Sequence, residues 1–543
     1  MEASWQLSSP ILGLVVTVVM FAIFYYVGWS SSRKTASVAD LYAGGYTIGP
    51  AVNGLAMGST WASLATFLGV SALILQLQVP FVYLWIQWGI SIPLLTLLYG
   101  TSLRRMQAYT PATFIRARFG KTSTVVAASW MVLIMIMYAL GQMIGVAQVF
   151  EMLFGLSYST GLIVGGLATV GFITLGGMLG ASYNAAFQMV VMILTMIVPM
   201  AAVMKAMGSS GWWFPPLAYG DMVPAMKEVL PTFFDMQHPF KWYFALIPAF
   251  TLGPIGLPHL AMRVFTASSL KSARAAVVWF AIFLGLLFCG TYTVGFAGNY
   301  FVATTGTQIT EPDKIVLILN VIYNPAWVAA LVMGGALAAG LSTVSGNLLA
   351  IGALVSQDIL GVFAPNLQEN AKMKVGYVAL GLGGIVAMLL AFNPPKFLVT
   401  SILWAFGLCA STITPTMLLG VWWKQANRLA GIISSIIAGV SYIIISPHVL
   451  PNIVVGSGVT ASLGMSGGMV TVPLAFFLFI VLSWIFNSMP GLERFKPTEE
   501  DKKLVDRIHG WGDYQEYRYS GNTGVTLAAI ASVLVFIWGI MPW

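Results

Sequence analysis

Charged residues are scarce in this sequence: only 8% of its 543 residues are Asp, Glu, Lys or Arg, whereas 58% are hydrophobic. A soluble domain carries roughly a quarter charged residues. So little charge does not cover a globular surface of this size. Apolar runs of about 20 residues, the length that crosses a bilayer core, recur along the chain. The composition therefore excludes a soluble globular protein and predicts an integral membrane protein.

Cysteine and histidine are also scarce, with two and four residues respectively. Both cysteines, Cys289 and Cys409, fall within apolar segments without metal-ligand spacing, so neither a disulfide framework nor a zinc site is supported. The histidines are scattered, and there is no polar cluster of the kind that a membrane-embedded enzyme needs. We therefore predict a protein that is not an enzyme.

Hydropathy, cut at charges, prolines and polar clusters, predicts an all-α integral membrane protein with about 14 transmembrane helices. The stretch from 489 to 522 is polar and is predicted to be a solvated loop with one amphipathic helix. The predicted spans lie near residues 9–30, 50–76, 80–100, 123–153, 158–180, 182–206, 241–262, 274–302, 324–355, 374–392, 395–421, 428–447, 468–488 and 523–541.

Basic residues predict the orientation of these spans. With an extracellular N-terminus, about 20 of the 25 Lys and Arg residues fall in alternate loops on one side, as the positive-inside rule requires. Arg263 is assigned to one of these cytoplasmic loops, and no Lys or Arg is expected within the middle of a span. We predict a multi-pass protein of the cell membrane with both termini extracellular or periplasmic. Since the basic residues are single or paired in short loops, nucleic-acid binding is not predicted.

Two predicted spans contain sequences that interrupt helices. Residues 54–63 include Gly54 and Gly58, and residues 253–258 read Gly-Pro-Ile-Gly-Leu-Pro. Unwound backbone is tolerated in a membrane only where it is buried or lines a cavity. A pair of broken segments at corresponding positions is typical of transporters with inverted repeats, which bind their solute at the breaks. Either motif alone also fits an ordinary membrane helix, because such helices are rich in Gly and Pro.

A third segment places Ser342 and Thr343 side by side among small residues. Small neighbours allow another helix to approach closely, and the two hydroxyl groups offer hard oxygen ligands. The alternative is that both hydroxyls bond back to the preceding helical turn.

Motifs around these residues extend over nearly the whole chain and are specific in combination. The sequence resembles the sodium:solute symporter family, and within it the cation/acetate symporter branch. The motifs that carry the resemblance are residues 40–45 (DLYAGG), 65–73 (ATFLGVSAL), 110–119 (TPATFIRARF), 256–266 (GLPHLAMRVFT), and Ser342-Thr343 ahead of 355–358 (VSQD).

This resemblance implies a leucine-transporter-type core, an inverted five-plus-five helix repeat, over about 50–421. It divides the chain into four parts: an extra N-terminal helix and loop in 1–49, the first repeat in 50–206, an extracellular loop and the second repeat in 207–421, and C-terminal helices with a cytoplasmic loop in 422–543.

The resemblance also implies a sodium site. Its predicted ligands are backbone carbonyls and two hydroxyls, which suit a hard cation. They belong to Gly58, Trp61, Ala339, Ser342 and Thr343.

Two departures from the family pattern concern carboxylates. Thr60 stands where several members have an aspartate, and Ala185 stands where many have another carboxylate. Apart from Glu151, no carboxylate is expected within a span, and intramembrane carboxylates are the usual proton carriers. His259 is the one candidate titrating group near a break. The sequence therefore predicts coupling to Na+ rather than to protons, and the departures weaken the case for a second cation site.

The substrate is predicted to bind between the two breaks. A carboxylate there can be held by the N–H groups and positive ends of the half-helices. The predicted lining residues are Thr60, Ser63, Gln142, Ile255, Gly256 and Trp404.

The sequence thus predicts a sodium-coupled symporter that imports a small organic anion, such as acetate, propionate or pyruvate, by alternating access. The alternatives are a symporter of another small solute (amino acid, sugar, vitamin or inorganic anion) and a transporter-like solute sensor. The expected partners are the small-molecule substrate and the lipid bilayer. The sequence leaves the oligomeric state open, and a monomer is expected to be sufficient for transport.

Overall fold

The computed structural model describes residues 5–33, 35, 37–80, 90–173, 177–214, 218, 220–395, 397–446, 467–517 and 530. Within these ranges all the extended secondary structure is helical, and one isolated β-bridge joins Ile48 to Ala267.

The α-helices are numbered here in chain order. The first eleven are α1 (Pro10–Ser32), α2 (Val38–Ala43), α3 (Pro50–Trp61), α4 (Val70–Leu77), α5 (Thr101–Arg105), α6 (Pro111–Phe119), α7 (Lys121–Phe154), α8 (Tyr158–Ile173), α9 (Gly177–Ile197), α10 (Met200–Ala206) and α11 (Val223–Val229).

The remaining eleven are α12 (Phe240–Gly256), α13 (Pro258–Phe265), α14 (Leu270–Thr305), α15 (Ile315–Tyr323), α16 (Ala326–Ala353), α17 (Leu360–Phe363), α18 (Glu369–Leu390), α19 (Val399–Trp422), α20 (Arg428–Ile445), α21 (Gly467–Ser488) and α22 (Glu499–His509). Single π turns at Ala65–Gly69, Thr96–Gly100 and Leu354–Ile359 precede α4, α5 and α17.

Nine helices of the described residues are long and apolar enough to cross a membrane, and the number rises to 11 if each of two bent pairs is one span. The protein is therefore an all-helical, multi-pass membrane protein. The count of 14 spans, the inverted repeat and the four-part division of the chain stay predictions. The predicted span at 80–100 lies partly, and that at 523–541 almost wholly, outside the described residues.

Both predicted interruptions are present. The axis bends by 61° between α3 and the helix that resumes at Ala65, and by 45° between α12 and α13. Pro258 begins α13, where the missing N–H of proline costs no helical hydrogen bond. Pro254, one turn earlier, removes a donor just before the second bend.

Helix α16 lies at the centre of the bundle and packs against α3, α7, α9 and α13. Small residues allow these close approaches. A Cβ on Gly340 would lie 2.7 Å from the Leu64 side chain, and a Cβ on Gly346 would lie 3.0 Å from the Thr60 methyl group. The glycines of α16 thus bring it directly against the break that follows α3.

One carboxylate lies deeper than we predicted. The predicted span 324–355 ends before Asp358, but the helix continues through a π turn into α17. Asp358 is buried on this continuation and accepts a 2.5 Å hydrogen bond from the Thr110 hydroxyl. The expectation that Glu151 is the only carboxylate within a span was wrong, because the sequence does not mark the π turn that prolongs the helix.

The polar segment after α21 is ordered by specific contacts with the helix ends. Asp501 pairs with Arg428 at 2.8 Å, and Asp506 pairs with Lys424 at 2.6 Å. Beyond α22, Trp511 stacks on the ring of His509, at a centroid distance of 4.3 Å. The predicted amphipathic helix of this segment is α22, which begins with a capping box at Thr498.

Candidate functional site

The backbone leaves the helical path between Trp61 and Ala65, and side chains satisfy the groups that this frees. The Leu64 N–H donates to the Gln142 Oε1 of α7 at 3.0 Å, and the Ala65 N–H donates to the Ser63 hydroxyl at 3.1 Å. Such partners are what allows unwound backbone at membrane depth. Two predicted substrate residues, Ser63 and Gln142, therefore hold the shape of the break.

The hydroxyls of α16 lie against the backbone of α3 at the same break. The Ser342 Oγ is 2.9 Å from the carbonyl oxygens of both Ser59 and Ala339, and the Thr343 Oγ1 donates to the Thr60 carbonyl at 3.0 Å. Ser342, Thr343 and Thr60 were singled out for their polar side chains, Ala339 and Ser59 take part as backbone acceptors, and all five are fully buried. The two bonds to α3 each link residues that are 283 positions apart in the chain.

This oxygen cluster is suited to sodium. Carbonyl and hydroxyl oxygens are neutral hard ligands, and a carbonyl that accepts one hydrogen bond keeps a second lone pair. The carbonyls that Ser342 and Thr343 contact belong to Ser59 and Thr60. The carbonyls of the predicted ligands Gly58 and Trp61 are the next ones along the chain on either side. The Gly58 carbonyl accepts the N–H of Ala62, and the Trp61 carbonyl accepts the N–H of Ser63. The predicted set of five ligands stays a prediction.

Arg263 is where the structure departs most from expectation. We assigned it to a cytoplasmic loop, but it lies in α13 with a fully buried side chain. Its Nε donates to the Thr60 hydroxyl at 3.2 Å, and its Nη1 lies 2.7 Å from the Ser182 hydroxyl of α9. Its assignment to a loop was therefore wrong, because it lies two residues before the end of α13. The expectation that no Lys or Arg lies in the middle of a span stays a prediction. Pro258 begins the short helix α13, all of whose residues are buried.

His259 is buried near Thr60, and Asn347 is buried on α16 one turn after Thr343. The His259 ring meets the Tyr138 ring edge-on, with 5.0 Å between centroids. Gly346 of α16 lies between Thr60 and His259. A Cβ added to this glycine would be 3.7 Å from the Cβ of His259. Neither ring nitrogen of His259 nor the side-chain amide of Asn347 has a hydrogen-bond partner among the described residues.

The other predicted substrate residues lie on several helices. The Trp404 ring packs on Tyr442, 5.7 Å between centroids, and the Ile255 carbonyl accepts the Tyr99 hydroxyl. Gly256 lies against α19, because a Cβ there would be 2.6 Å from the Thr414 hydroxyl and 2.7 Å from the Cys409 sulfur. Thr60, Ser63 and Gln142 thus meet at the first break, whereas Ile255 and Gly256 pack at the second. Whether they bind substrate stays a prediction.

Sequence reasoning missed Ser59, Ser182 and Arg263. Ser59 takes part through its carbonyl oxygen, which every residue has, so no sequence signal marks it. Ser182 is an ordinary helical serine until Arg263 reaches it. A signal for Arg263 was present: Pro258 at a first helical turn, followed by seven residues without a further breaker, predicts a helix instead of a loop.

An all-helical multi-pass bundle with two interrupted helices, and with oxygen ligands gathered at one break, is the architecture of a secondary transporter. The sodium:solute symporter family matches residues 41–439, and the chain belongs to that family. It is accordingly a non-enzymatic, sodium-coupled symporter: Na+ is its coupling ion, its substrate is a small molecule, and its surroundings are membrane lipid.

Solved structures share this fold. A sodium-coupled sialic acid symporter in a substrate-bound, outward-open state matches with a TM-score of 0.72 and 16% identity, over 87% of this chain and 98% of that chain. Mhp1, a nucleobase-cation-symport-1 family transporter in a closed conformation with bromovinylhydantoin bound, matches with a TM-score of 0.52 and 14% identity, over 86% of this chain and 98% of that chain. At these identities the likeness concerns the fold alone.

Proposed function

We propose that this protein imports a short monocarboxylate, of the size of acetate, propionate or pyruvate, together with sodium by alternating access. The observation that carries the sodium half of the proposal is the cross-helix contact of Ser342 and Thr343 with the carbonyls of Ser59 and Thr60, at 2.9 and 3.0 Å. The monocarboxylate half rests on the resemblance to the cation/acetate branch and on the donors described next.

The sodium ligands in this proposal are the carbonyls of Gly58, Trp61 and Ala339 with the hydroxyls of Ser342 and Thr343. In this proposal the carbonyls of Gly58 and Trp61, which flank the observed contacts, turn toward the hydroxyls when sodium binds. Oxygen ligands from two helices then replace the hydration shell of the ion, and sodium ties the break of α3 to α16.

Two of the proposed substrate residues present unused donors. The Nε2 of Gln142 and the indole N–H of Trp404 are buried and have no hydrogen-bond partner in the described part of the chain. A buried donor without an acceptor is costly, and a carboxylate supplies acceptors only. These two groups favour an anionic solute over a cation. Thr60, Ser63, Ile255 and Gly256 complete the proposed binding region between the breaks.

The proposal includes the architecture that the sequence predicts: about 14 spans around an inverted five-plus-five repeat, both termini outside, and a monomer that is sufficient for transport. The excess of basic residues in alternate loops supports this orientation.

Uptake by proteoliposomes tests the proposal. Purified protein is reconstituted and given a panel of labelled acetate, propionate, pyruvate, proline and glucose, with and without an inward sodium gradient. We expect sodium-dependent uptake of the monocarboxylates. Uptake of proline or glucose alone would replace the substrate class, and binding without uptake would favour a sensor.

Variants at the two unused donors refine this test. Gln142→Glu keeps the oxygen that accepts the Leu64 N–H and removes the amide donor, and Trp404→Phe removes the indole N–H donor. We expect each to raise the KM for the monocarboxylate about tenfold, the usual cost of about 1.4 kcal/mol for a charge-assisted hydrogen bond. Unchanged KM values in both variants would move the substrate away from these residues.

A further inference from the structure

Arg263 differs from the other deeply buried arginines of this protein in what its guanidinium contacts. Arg118 donates to the backbone carbonyls of Gly420, Trp423, Lys424 and Ala426, and Arg104 donates to those of Ala267 and Ser268. Arg263 instead contacts two hydroxyls, of Thr60 and Ser182, and the Met178 sulfur at 3.5 Å. The two hydroxyls and the sulfur are weaker hydrogen-bond acceptors than carbonyl oxygens. They therefore leave the positive charge of Arg263 poorly compensated.

No ion pair of Arg263 occurs among the described residues, and its Nη2 group has no hydrogen-bond partner there. The side chain is nevertheless completely buried. A buried cation within a membrane is costly unless a negative charge or strong acceptors accompany it. The geometry therefore leaves a positive charge, with two free N–H groups, that an anion would stabilise.

Among the described residues, the groups in hydrogen-bonding contact with Arg263 are neutral. His259 precedes it by one helical turn, so both side chains lie on the same face of α13. Asn347 lies one turn after Thr343 on α16, and its amide is buried and unpartnered within the described residues. The Nη2 of Arg263 is an unused donor group within the described residues, which matches the acceptors of an anion.

Thr60 connects this arginine to the proposed sodium site. Its hydroxyl accepts from Arg263, and its carbonyl accepts from Thr343. A sodium ion bound to the Thr343 hydroxyl therefore lies on one side of Thr60, and the guanidinium of Arg263 lies on the other side. Two positive charges this close in a low-dielectric interior repel each other strongly. Sodium binding is then unfavourable until an anion offsets the charge of Arg263.

We propose that Arg263 is the docking point for the transported anion, and that its uncompensated charge makes sodium binding depend on that anion. The identity of the anion as a monocarboxylate and the position of sodium beside Thr343 rest on the proposed function. Because coupling free energies are reciprocal, sodium raises the affinity for the anion by the same factor as the anion raises the affinity for sodium. Coupled transport then follows from charge balance at one pair of sites.

The test measures sodium binding to the purified protein, with radiolabelled sodium and without a membrane gradient. The counter-ion is a bulky sulfonate, and acetate, propionate or pyruvate is then added at saturation. For the wild type we expect the carboxylate to lower the apparent Kd for sodium at least about fivefold, the low end of typical coupling. Acetamide, a neutral analogue of acetate, is expected to have no such effect.

Ser182→Asp places a permanent carboxylate beside the Nη1 of Arg263, which lies 2.7 Å from the serine hydroxyl in the wild type. We expect this variant to bind sodium tightly without any added anion and to lose the carboxylate effect. Arg263→Gln, which removes the charge, is expected to do the same. Ser182→Asn has the size of the first variant without its charge, and it is expected to keep the dependence on the anion.

Arg104→Gln is the control for loss of a buried arginine, since Arg104 is bonded to carbonyls away from Thr60. It is expected to keep the fivefold carboxylate effect. The proposal is overturned if Ser182→Asp and Arg263→Gln both fold and both retain the carboxylate effect of the wild type, or if no anion alters sodium binding in the wild type.

Failure of this inference and failure of the proposed function give different results. Sodium-driven monocarboxylate uptake, with the carboxylate effect intact in both variants, upholds the function and overturns the inference. An effect of chloride but not of monocarboxylates, lost in Arg263→Gln, upholds the anion site and overturns the proposed substrate.

Discussion

Ser342 and Thr343 make hydrogen bonds from α16 to the backbone of α3, which ordinary helical serines and threonines do not. If both are sodium ligands, replacing either with alanine removes one of few oxygens around the ion. We expect Ser342→Ala and Thr343→Ala to raise the sodium concentration for half-maximal uptake about tenfold each, a loss of about 1.4 kcal/mol. Uptake measured against sodium concentration checks this.

Thr169 provides the matched control for that experiment. It is also buried, and its hydroxyl donates only to the Gly165 carbonyl of its own helix, at 2.7 Å. Thr169→Ala should therefore keep the sodium dependence of the wild type. If the variants at 342 and 343 behave like it, the hydroxyls are structural and the ligand assignment fails.

Single residues were predictable from sequence where the side chain carries the chemistry. Adjacent hydroxyls among small residues indicated Ser342 and Thr343 before any contact was known. The partners on α3 act through backbone oxygens, so the sequence does not distinguish Ser59 from its neighbours. Arg263 was misplaced because its charge favoured a loop, and its burial depends on contacts with α3 and α9 that are distant in sequence.

The C-terminal end of α19 is held by Arg118 of α6. Four carbonyls between Gly420 and Ala426 lie within 3.4 Å of its guanidinium, and they belong to the last turn and the loop beyond it. Burial lowers the pKa of Arg118 to about 10, which still leaves it protonated at neutral pH. One arginine thus satisfies carbonyls that the helix leaves without donors.

Arg118→Ala is expected to destabilise the protein by about 3 kcal/mol, because buried carbonyls lose a charged donor. A thermal unfolding curve in detergent checks this. Arg116→Ala, in the same helix, removes a single hydrogen bond to the Gly361 carbonyl and should lower the midpoint less. Equal midpoints for the two variants would contradict the account of α19.

Asp313 performs the corresponding task at the start of α19. It accepts the Leu398 N–H at 2.9 Å from the short 3-10 helix Pro312–Lys314, outside the membrane-spanning helices. Burial raises its pKa from 3.8 to about 7. The folded protein therefore holds this proton more tightly than the unfolded chain does. The resulting stability is fully present below about pH 4 and is lost as the pH rises through about 7.

Asp313→Asn should flatten the fall in thermal stability between about pH 5 and about pH 7, since the amide still accepts the Leu398 N–H but does not titrate. The slope that it removes is at most about 1.4 kcal/mol per pH unit. Thermal midpoints across this range decide the matter. The exposed Asp235→Asn serves as the control, and a slope that is equally steep in Asp313→Asn would refute a raised pKa.

The breaks in α3–α4 and α12–α13 were predictable because glycine and proline act locally on the backbone. The continuation of α16 through a π turn to Asp358 was not predictable. A π turn has i→i+5 hydrogen bonds in place of i→i+4 bonds, and no particular residue type marks it in the sequence. The caps at the two ends of α19 were also invisible in sequence. Arg118 and Asp313 reach that helix from segments that are separated from it by 302 and 85 positions.

On the scale of the whole transporter, the charge that moves per cycle decides how it responds to voltage. Thr60 and Ala185 are neutral, whereas the resemblance to the family implies carboxylates at these positions. We therefore expect one sodium to enter with one monocarboxylate. Such a cycle moves no net charge, whereas each unit charge would contribute about 2.3 kcal/mol per 100 mV. Monocarboxylate uptake should therefore be nearly independent of membrane potential at a fixed sodium gradient.

Reconstituted protein under a potassium and valinomycin clamp measures this directly. Labelled uptake at several imposed potentials should be the same within error, with an electrogenic ionophore current as the positive control for the clamp. Uptake that rises steeply as the interior becomes negative would mean that a second cation accompanies the substrate.

A symporter must also return across the membrane after it has released its cargo, and the hydrogen bonds between α16 and α3 bear on that step. When sodium leaves, the hydroxyls of Ser342 and Thr343 can donate to the carbonyls of Ser59 and Thr60, as they do at 2.9 and 3.0 Å. In the proposed site, the same hydroxyls turn their protons aside when sodium binds and offer lone pairs to the ion. The carbonyls of Ser59 and Thr60 thus have donors in the sodium-free state, so the unloaded carrier reorients without the cost of bare polar groups in hydrocarbon.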